Sequence, residues 1–167
     1  MKKVVHVIGN GDQASLFHKE HRTGMKLTCN IPPWPVAGAY GTIMVDFKMM
    51  RALHEGSLTI PGDWILGMRP KIWMDQQPSF FIKHSHQVKE FYTVLPKYVA
   101  NYTDFNCGHM AVHYAANKVK AEEMIKLNPN VLFCIIGDGV EKDKVNLLAK
   151  KLGIMNNNFY MVPKMSK

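Results

Sequence analysis

Apolar positions along this chain fall into short continuous runs that alternate with stripes at helical spacing. Val4 to Ile8 is a β-branched run that stops at Gly9-Asn10-Gly11-Asp12, which predicts a buried strand followed by a tight turn. Lys26 to Cys29 predicts a second strand, stopped by Asn30 and by Pro32, Pro33 and Pro35, so the loop to Tyr40 is extended. Thr42 to Phe47 is β-rich and leads through Asp46 into a short helix, Lys48 to Glu55, that Gly56 ends. Trp64 to Met68 is a further apolar run between the Pro61-Gly62-Asp63 turn and Arg69-Pro70. Lys71 to Ser85 has no clear period and reads as loop, whereas His86 to Tyr98 puts Val88, Phe91, Tyr92 and Leu95 at helical spacing.

Beyond a polar aromatic linker at Asn101 to Phe105, the stretch from Cys107 to Leu127 predicts the longest helix, amphipathic through Ala111, Tyr114, Ala115, Lys118, Val119 and Glu122. Val131 to Ile136, the Gly137-Asp138-Gly139 turn and the Val145, Leu148, Ala149, Leu152 stripe repeat the order strand, turn, helix, and Phe159 to Val162 is a last strand. This alternation predicts an α/β fold: a mainly parallel sheet with helices on both faces.

The length of 167 residues fits one domain spanning 1–167, and a chain of this size buries a full core without disulfide or metal. Its apolar runs are too short to cross a bilayer, and Met1 to Ile8 is too short for a signal-peptide core, so a soluble, cytoplasmic protein is expected. Three cysteines without a Cys-x-x-Cys pair, Cys29, Cys107 and Cys134, read as free thiols in a reducing compartment. A net charge of +8 favours anionic partners such as nucleotides or nucleic acid. Trp34, Trp73, Phe80, Phe81, Phe91 and Tyr92 are available for base stacking, but no nucleic-acid-binding signature accompanies them, and many of the lysines belong to solvated helix faces.

Open parallel sheets bind ligands beyond the C-terminal ends of their strands, which singles out the residues expected there. Gly9-Asn10-Gly11-Asp12 lets backbone N–H groups approach a phosphate, although Ala14 stands where a dinucleotide motif needs its third glycine, and an ordinary Asn-Gly turn is the alternative. Asn30 and Asp46 suit base or ribose hydroxyls, with turn and helix N-cap roles as the alternatives. Arg69 and Lys71 suit a diphosphate or a sugar acid, and Asn106-Cys107-Gly108 opens the long helix at the same edge. Cys107, His109 and His113 have zinc-like spacing, but the Glu of an H-E-x-x-H pattern and a fourth ligand are missing, so no metal and no cofactor are expected. His109 or His113 then serves as a general base.

The opening Met1 to Gly11 resembles bacterial sialyltransferases of glycosyltransferase family 42, which begin with a strand and a Gly-Asn-Gly-Pro-Ser turn; here Asp12-Gln13 replaces Pro-Ser. Thr28-Cys29-Asn30 resembles that family's Arg-Cys-Asn, whose asparagine binds the cytidine nucleotide. Asp46 lies near where a second nucleotide-binding asparagine is expected, and Asn106-Cys107-Gly108 resembles its Thr-Ser-Gly. Similar Gly-Asn-Gly stretches occur in many phage proteins. That family also has a catalytic histidine after the long helix, whereas here no histidine follows His113. The segment from Asn130 to Gly139 and the Lys142 to Gly153 helix resemble the nucleotide-sugar half of family 4 glycosyltransferases. These resemblances imply a Rossmann-like three-layer fold that binds a nucleotide or nucleotide-sugar and transfers the sugar to a hydroxyl acceptor, with His109, His113 or Asp12 as base. A non-catalytic nucleotide- or nucleic-acid-binding protein is the alternative.

Overall fold

A computed structural model describes residues 4–11, 14, 23–32, 34–118, 132–136, 150 and 159–162. The elements are β1 (Val4–Ile8), β2 (Met25–Cys29), β3 (Gly41–Met44), α1 (Phe47–His54), β4 (Trp64–Leu66), α2 (Met68–Gln76), α3 (Pro78–His84), β5 (Val88–Phe91), α4 (Cys107–Lys118), β6 (Leu132–Ile136) and β7 (Phe159–Val162). All strands pair in parallel, in the order β5-β4-β3-β2-β1-β6-β7. The chain steps outward from β1 to β5 and then returns to the opposite side of β1 for β6 and β7, so the order reverses at β1. There Ile8 pairs with Thr28 on one side and with Ile136 on the other.

Strand alternation divides the buried side chains between two faces. Val5, Val7, Leu27, Cys29, Ile43 and Ile65 meet Met110, Ala111, Tyr114 and Ala115 of α4. Met44, Trp64 and Leu66 face the other way, onto Met50 and Leu53 of α1, Met74 of α2 and Phe80 of α3. Helices therefore cover both faces, and the three-layer, Rossmann-like α/β arrangement is present. Two buried polar contacts stand between the layers: Thr28 and Thr42 hydroxyls lie 2.6 Å apart, and Trp64 Nε1 donates to the Ile60 carbonyl at 3.0 Å.

Three local expectations need correction. Lys71 to Ser85 is not loop but the end of α2, then α3. Gln77-Pro78 splits the apolar stripe, so the two helices show only Pro70 with Met74, and Phe80, as buried anchors, too few for a visible period. The helix expected over His86 to Tyr98 is instead strand β5, because Val88-Lys89-Glu90-Phe91 completes the edge of the sheet through Phe91 paired with Leu66. Pairing along an existing strand outweighs a four-residue coincidence with helical spacing. Finally, α4 has no polar face through its middle: residues 109 to 116 are all buried. Residues 119–127 of the expected long helix lie outside the described residues, as does the predicted stripe at Val145 to Leu152 apart from Lys150, which is helical.

Gly24 precedes β2 at φ 121°, and a Cβ there would stand 2.5 Å from the Val4 carbonyl oxygen. Both the backbone conformation and the close approach require glycine. Gly24→Ala should cost about 2 kcal/mol or more and lower the calorimetric melting temperature by roughly 4 to 8 °C. A melting temperature within about 1 °C of the parent would contradict this close approach.

Candidate functional site

The C-terminal ends of β1 to β4 bring several of the expected residues to one edge. Gly9, Asn10 and Gly11 leave β1 at the level where Asn30 leaves β2, since Ile8 and Thr28 are register partners. The turn after β1 is closed by Ala14 N–H donating to the Gly11 carbonyl at 2.9 Å, and the helical Ala14 packs on Ile8 beside Trp34 and Val36. Asp12 lies outside the described residues. Asn30 adopts φ 51°, a left-handed conformation that asparagine tolerates better than other side chains, while its N–H donates to the Ile43 carbonyl at 2.9 Å.

Cys107 connects this end of the site to the next. Burial, and after it the negative charge of Asp46, push the Cys107 thiol up to about 12, so it remains protonated at neutral pH. The thiol donates to Asn30 Oδ1 at 3.1 Å, which fixes the amide with its Nδ2 donor turned away from the sulfur. Asp46 sits at the N-cap position of α1 but makes no capping hydrogen bond; its carboxylate is held by Arg69 at 2.7 Å instead. Beside that ion pair is a shallow depression lined by Val45, Gly67, Met68, Arg69, Tyr92, Tyr102, Phe105 and Met110. Gly67 lets these walls close in, because a Cβ there would lie 3.2 Å from Met110 Sδ and 3.3 Å from Val45 Cγ1.

Other expected residues go elsewhere. Lys71 pairs with Asp75 at 2.7 Å one turn along α2 and stands over the Phe91 ring, away from Arg69's partner Asp46. Asn106 caps α4, its Oδ1 accepting from His109 N–H at 2.8 Å. Gly108 is not sterically demanded, since an added Cβ would meet only Asn106 Oδ1 at 3.7 Å. His109 is buried between Tyr98 and Phe105, with ring centroids 6.1 and 4.9 Å away. His113 is buried too: Asn117 Nδ2 donates to the Tyr92 hydroxyl at 2.6 Å, and that hydroxyl donates to His113 Nδ1 at 2.7 Å. Neither imidazole lines the depression, although Tyr92 and Phe105, which touch them, do. Among the described residues no group of three or more His, Cys, Asp or Glu side chains could hold a metal ion. The convergence of Tyr92, Tyr102 and Phe105 on one depression was not legible in the sequence, which showed Tyr92 only as a residue available for stacking and Asn101 to Phe105 only as a polar aromatic linker.

Two predictions follow from the burial of these groups. Burial, and next the neighbouring Cys107, also push the Cys29 thiol well up. Iodoacetamide at pH 8 should therefore leave Cys29 and Cys107 unmodified in the folded protein and modify both after denaturation, as read by peptide mass spectrometry. Rapid modification of folded Cys107 would contradict the protected donor. Burial lowers the His113 pKa below its ordinary 6.5, so its neutral form is the one the fold favours. Its stabilising contribution is present above pH 6.5 and is lost as pH falls through the lowered value. The melting temperature should drop from pH 7 to pH 5 by less in His113→Gln than in the parent, and equal drops would contradict it.

No helix among the described residues is long and apolar enough to cross a membrane. Comparison of the chain with protein families, with curated proteins and with solved structures finds no match, so the functional reading stands on the site itself.

Proposed function

We propose that this protein binds a nucleotide or nucleotide-sugar along the C-terminal edge of its sheet, with the phosphate at Gly9-Asn10-Gly11 and the nucleoside toward Asn30. The observation that carries this reading is the reversal of strand order at β1, with the two glycines directly beyond its end. At such a reversal the loops on either side diverge and leave a crevice, and backbone N–H groups free of bulky side chains can face an anion there. The constrained Asn30 amide supports the same reading, because its donor can meet an acceptor on a base or ribose. The resemblance of Gly9-Asn10-Gly11 and Thr28-Cys29-Asn30 to family 42 sialyltransferases agrees with it.

Transfer of the sugar to a hydroxyl acceptor extends this proposal. The acceptor oxygen would attack the anomeric carbon, the bond to the phosphate oxygen would break, and a base would take the hydroxyl proton. With His109 and His113 committed to the interior, Asp12, next to Gly11 in sequence, is the base we assign.

Calorimetric titration with nucleoside mono- and diphosphates and their sugar conjugates tests the binding claim. Gly11→Val should weaken the best nucleotide about tenfold or more, equivalent to about 1.4 kcal/mol, while leaving the melting temperature close to the parent's. Equal affinity in the variant would remove the phosphate from this turn.

A further inference from the structure

We infer that α3 docks on an anionic lipid surface, with Phe81 and Ile82 entering the interface and Lys83 meeting the headgroups. This inference is independent of the nucleotide reading. Among the described residues Ile82 is the most exposed of the large hydrophobic side chains, at 74%, and Phe81 beside it is 38% exposed. Phe80 takes the buried position of that turn, so Phe80-Phe81-Ile82 puts one side chain in the core and two outside it. Phe81 is not isolated: its ring centroid lies 6.3 Å from that of the half-buried Phe91, over which Lys71 Nζ stands at 5.9 Å. Single exposed hydrophobic side chains need no partner, but two neighbours joined to a third ring form a patch that gains from being covered.

The chemistry of the partner follows from the charges around the patch. From Gln76 to Lys89 the chain has no Asp or Glu, whereas it has Lys83, His84, His86 and Lys89. Lys83 and His86 are exposed, and among the described residues neither is in an ion pair. Lys48 and Arg51 are exposed on α1, which packs into the same helical layer. Of the acids on these helices, Asp75 is met by Lys71 at 2.7 Å and Glu55 stands at the C-cap of α1. An apolar patch with a cationic rim fits a surface that is apolar inside and negative at its boundary, as an anionic bilayer is. A short apolar tip and a few cations each hold a bilayer weakly, and together they give reversible attachment. The net charge of +8 acts in the same direction at longer range.

Shape and symmetry separate this partner from others. A side chain in a groove is shielded by the walls, so Ile82 at 74% exposure stands on a projection, which enters a soft interface and offers no cleft to a peptide helix. A second copy meeting this patch about a two-fold axis would bring the two Lys83 charges toward each other. Single-stranded nucleic acid is held on aromatic faces, and the most exposed side chain here is aliphatic.

Co-sedimentation of the protein with vesicles tests the inference. Vesicles of equal parts phosphatidylcholine and phosphatidylglycerol should bind at least about tenfold better than vesicles of phosphatidylcholine alone, and added salt should weaken that binding. Ile82→Asp should lower the partition coefficient about tenfold or more, and Ile82→Leu should leave it within about twofold. Ile82→Ser, which adds no charge, should also lose binding and separates lost insertion from repulsion. Since Ile82 faces water, the melting temperatures of these variants should match the parent's. No binding to the mixed vesicles, equal binding to both compositions, or binding untouched by Ile82→Asp and Ile82→Ser would each overturn the inference. So would two outcomes in place of vesicle binding: a parent dimer in sedimentation equilibrium that Ile82→Asp dissociates, which gives the patch to a second copy, or binding of oligouridine that the same variant loses, which gives it to nucleic acid.

Discussion

The burial of residues 109–116 of α4 is the constraint on which the rest of the arrangement depends. An all-parallel sheet must cover both faces, and among the described residues one face is covered by α4, which lies against β1, β2 and β3 while Tyr92, Val99 and Phe105 pack into the same cluster. Ala111, Ala115 and Ala116 let the backbone approach its neighbours. Its two histidines are buried, and their polarity is met by aromatic rings and, for His113, by the Tyr92 hydroxyl and Asn117. A pair of histidines at i, i+4 suggests chemistry in a sequence, but where residues 109–116 are all buried the same pair belongs to the packing of the helix.

That seating also builds the edge where ligands are expected. The first turn of α4 arrives at the ends of β2 and β3, where its protonated Cys107 holds Asn30 and lies close enough to Asp46 to feel its charge. Met110, one turn further, meets the space left by the missing side chain of Gly67 and forms a wall of the depression beside Arg69. Asn30 at the end of β2 and the depression beside Arg69 are thus joined by a helix whose placement the core dictates.

Much of the framework was legible from the chain because buried parallel strands are continuous apolar runs bounded by turn residues. β1, β2, β3, β6 and β7 all lie where such runs stand, and Asn30, Asp46, Arg69 and Cys107 stand together beyond the strand ends, where the sequence reading put them. What was hidden depended on contacts distant in sequence. β5 takes its conformation from β4, α2 and α3 are too short for a period, and the role of Lys71 is decided by Asp75 four residues away rather than by the edge. The ion pair of Arg69 with Asp46 links residues 23 positions apart.

The central claim, a nucleotide seated at the reversal of the sheet, is tested most directly by mapping where a nucleotide touches the protein. Titration of cytidine and uridine nucleotides into isotopically labelled protein, followed by amide resonances, should shift Gly9, Asn10, Gly11 and Asn30 together, with a common saturation curve. Saturable shifts confined to other regions, such as the α1–α3 face or the β5 edge, with Gly9 to Gly11 unmoved, would contradict the account.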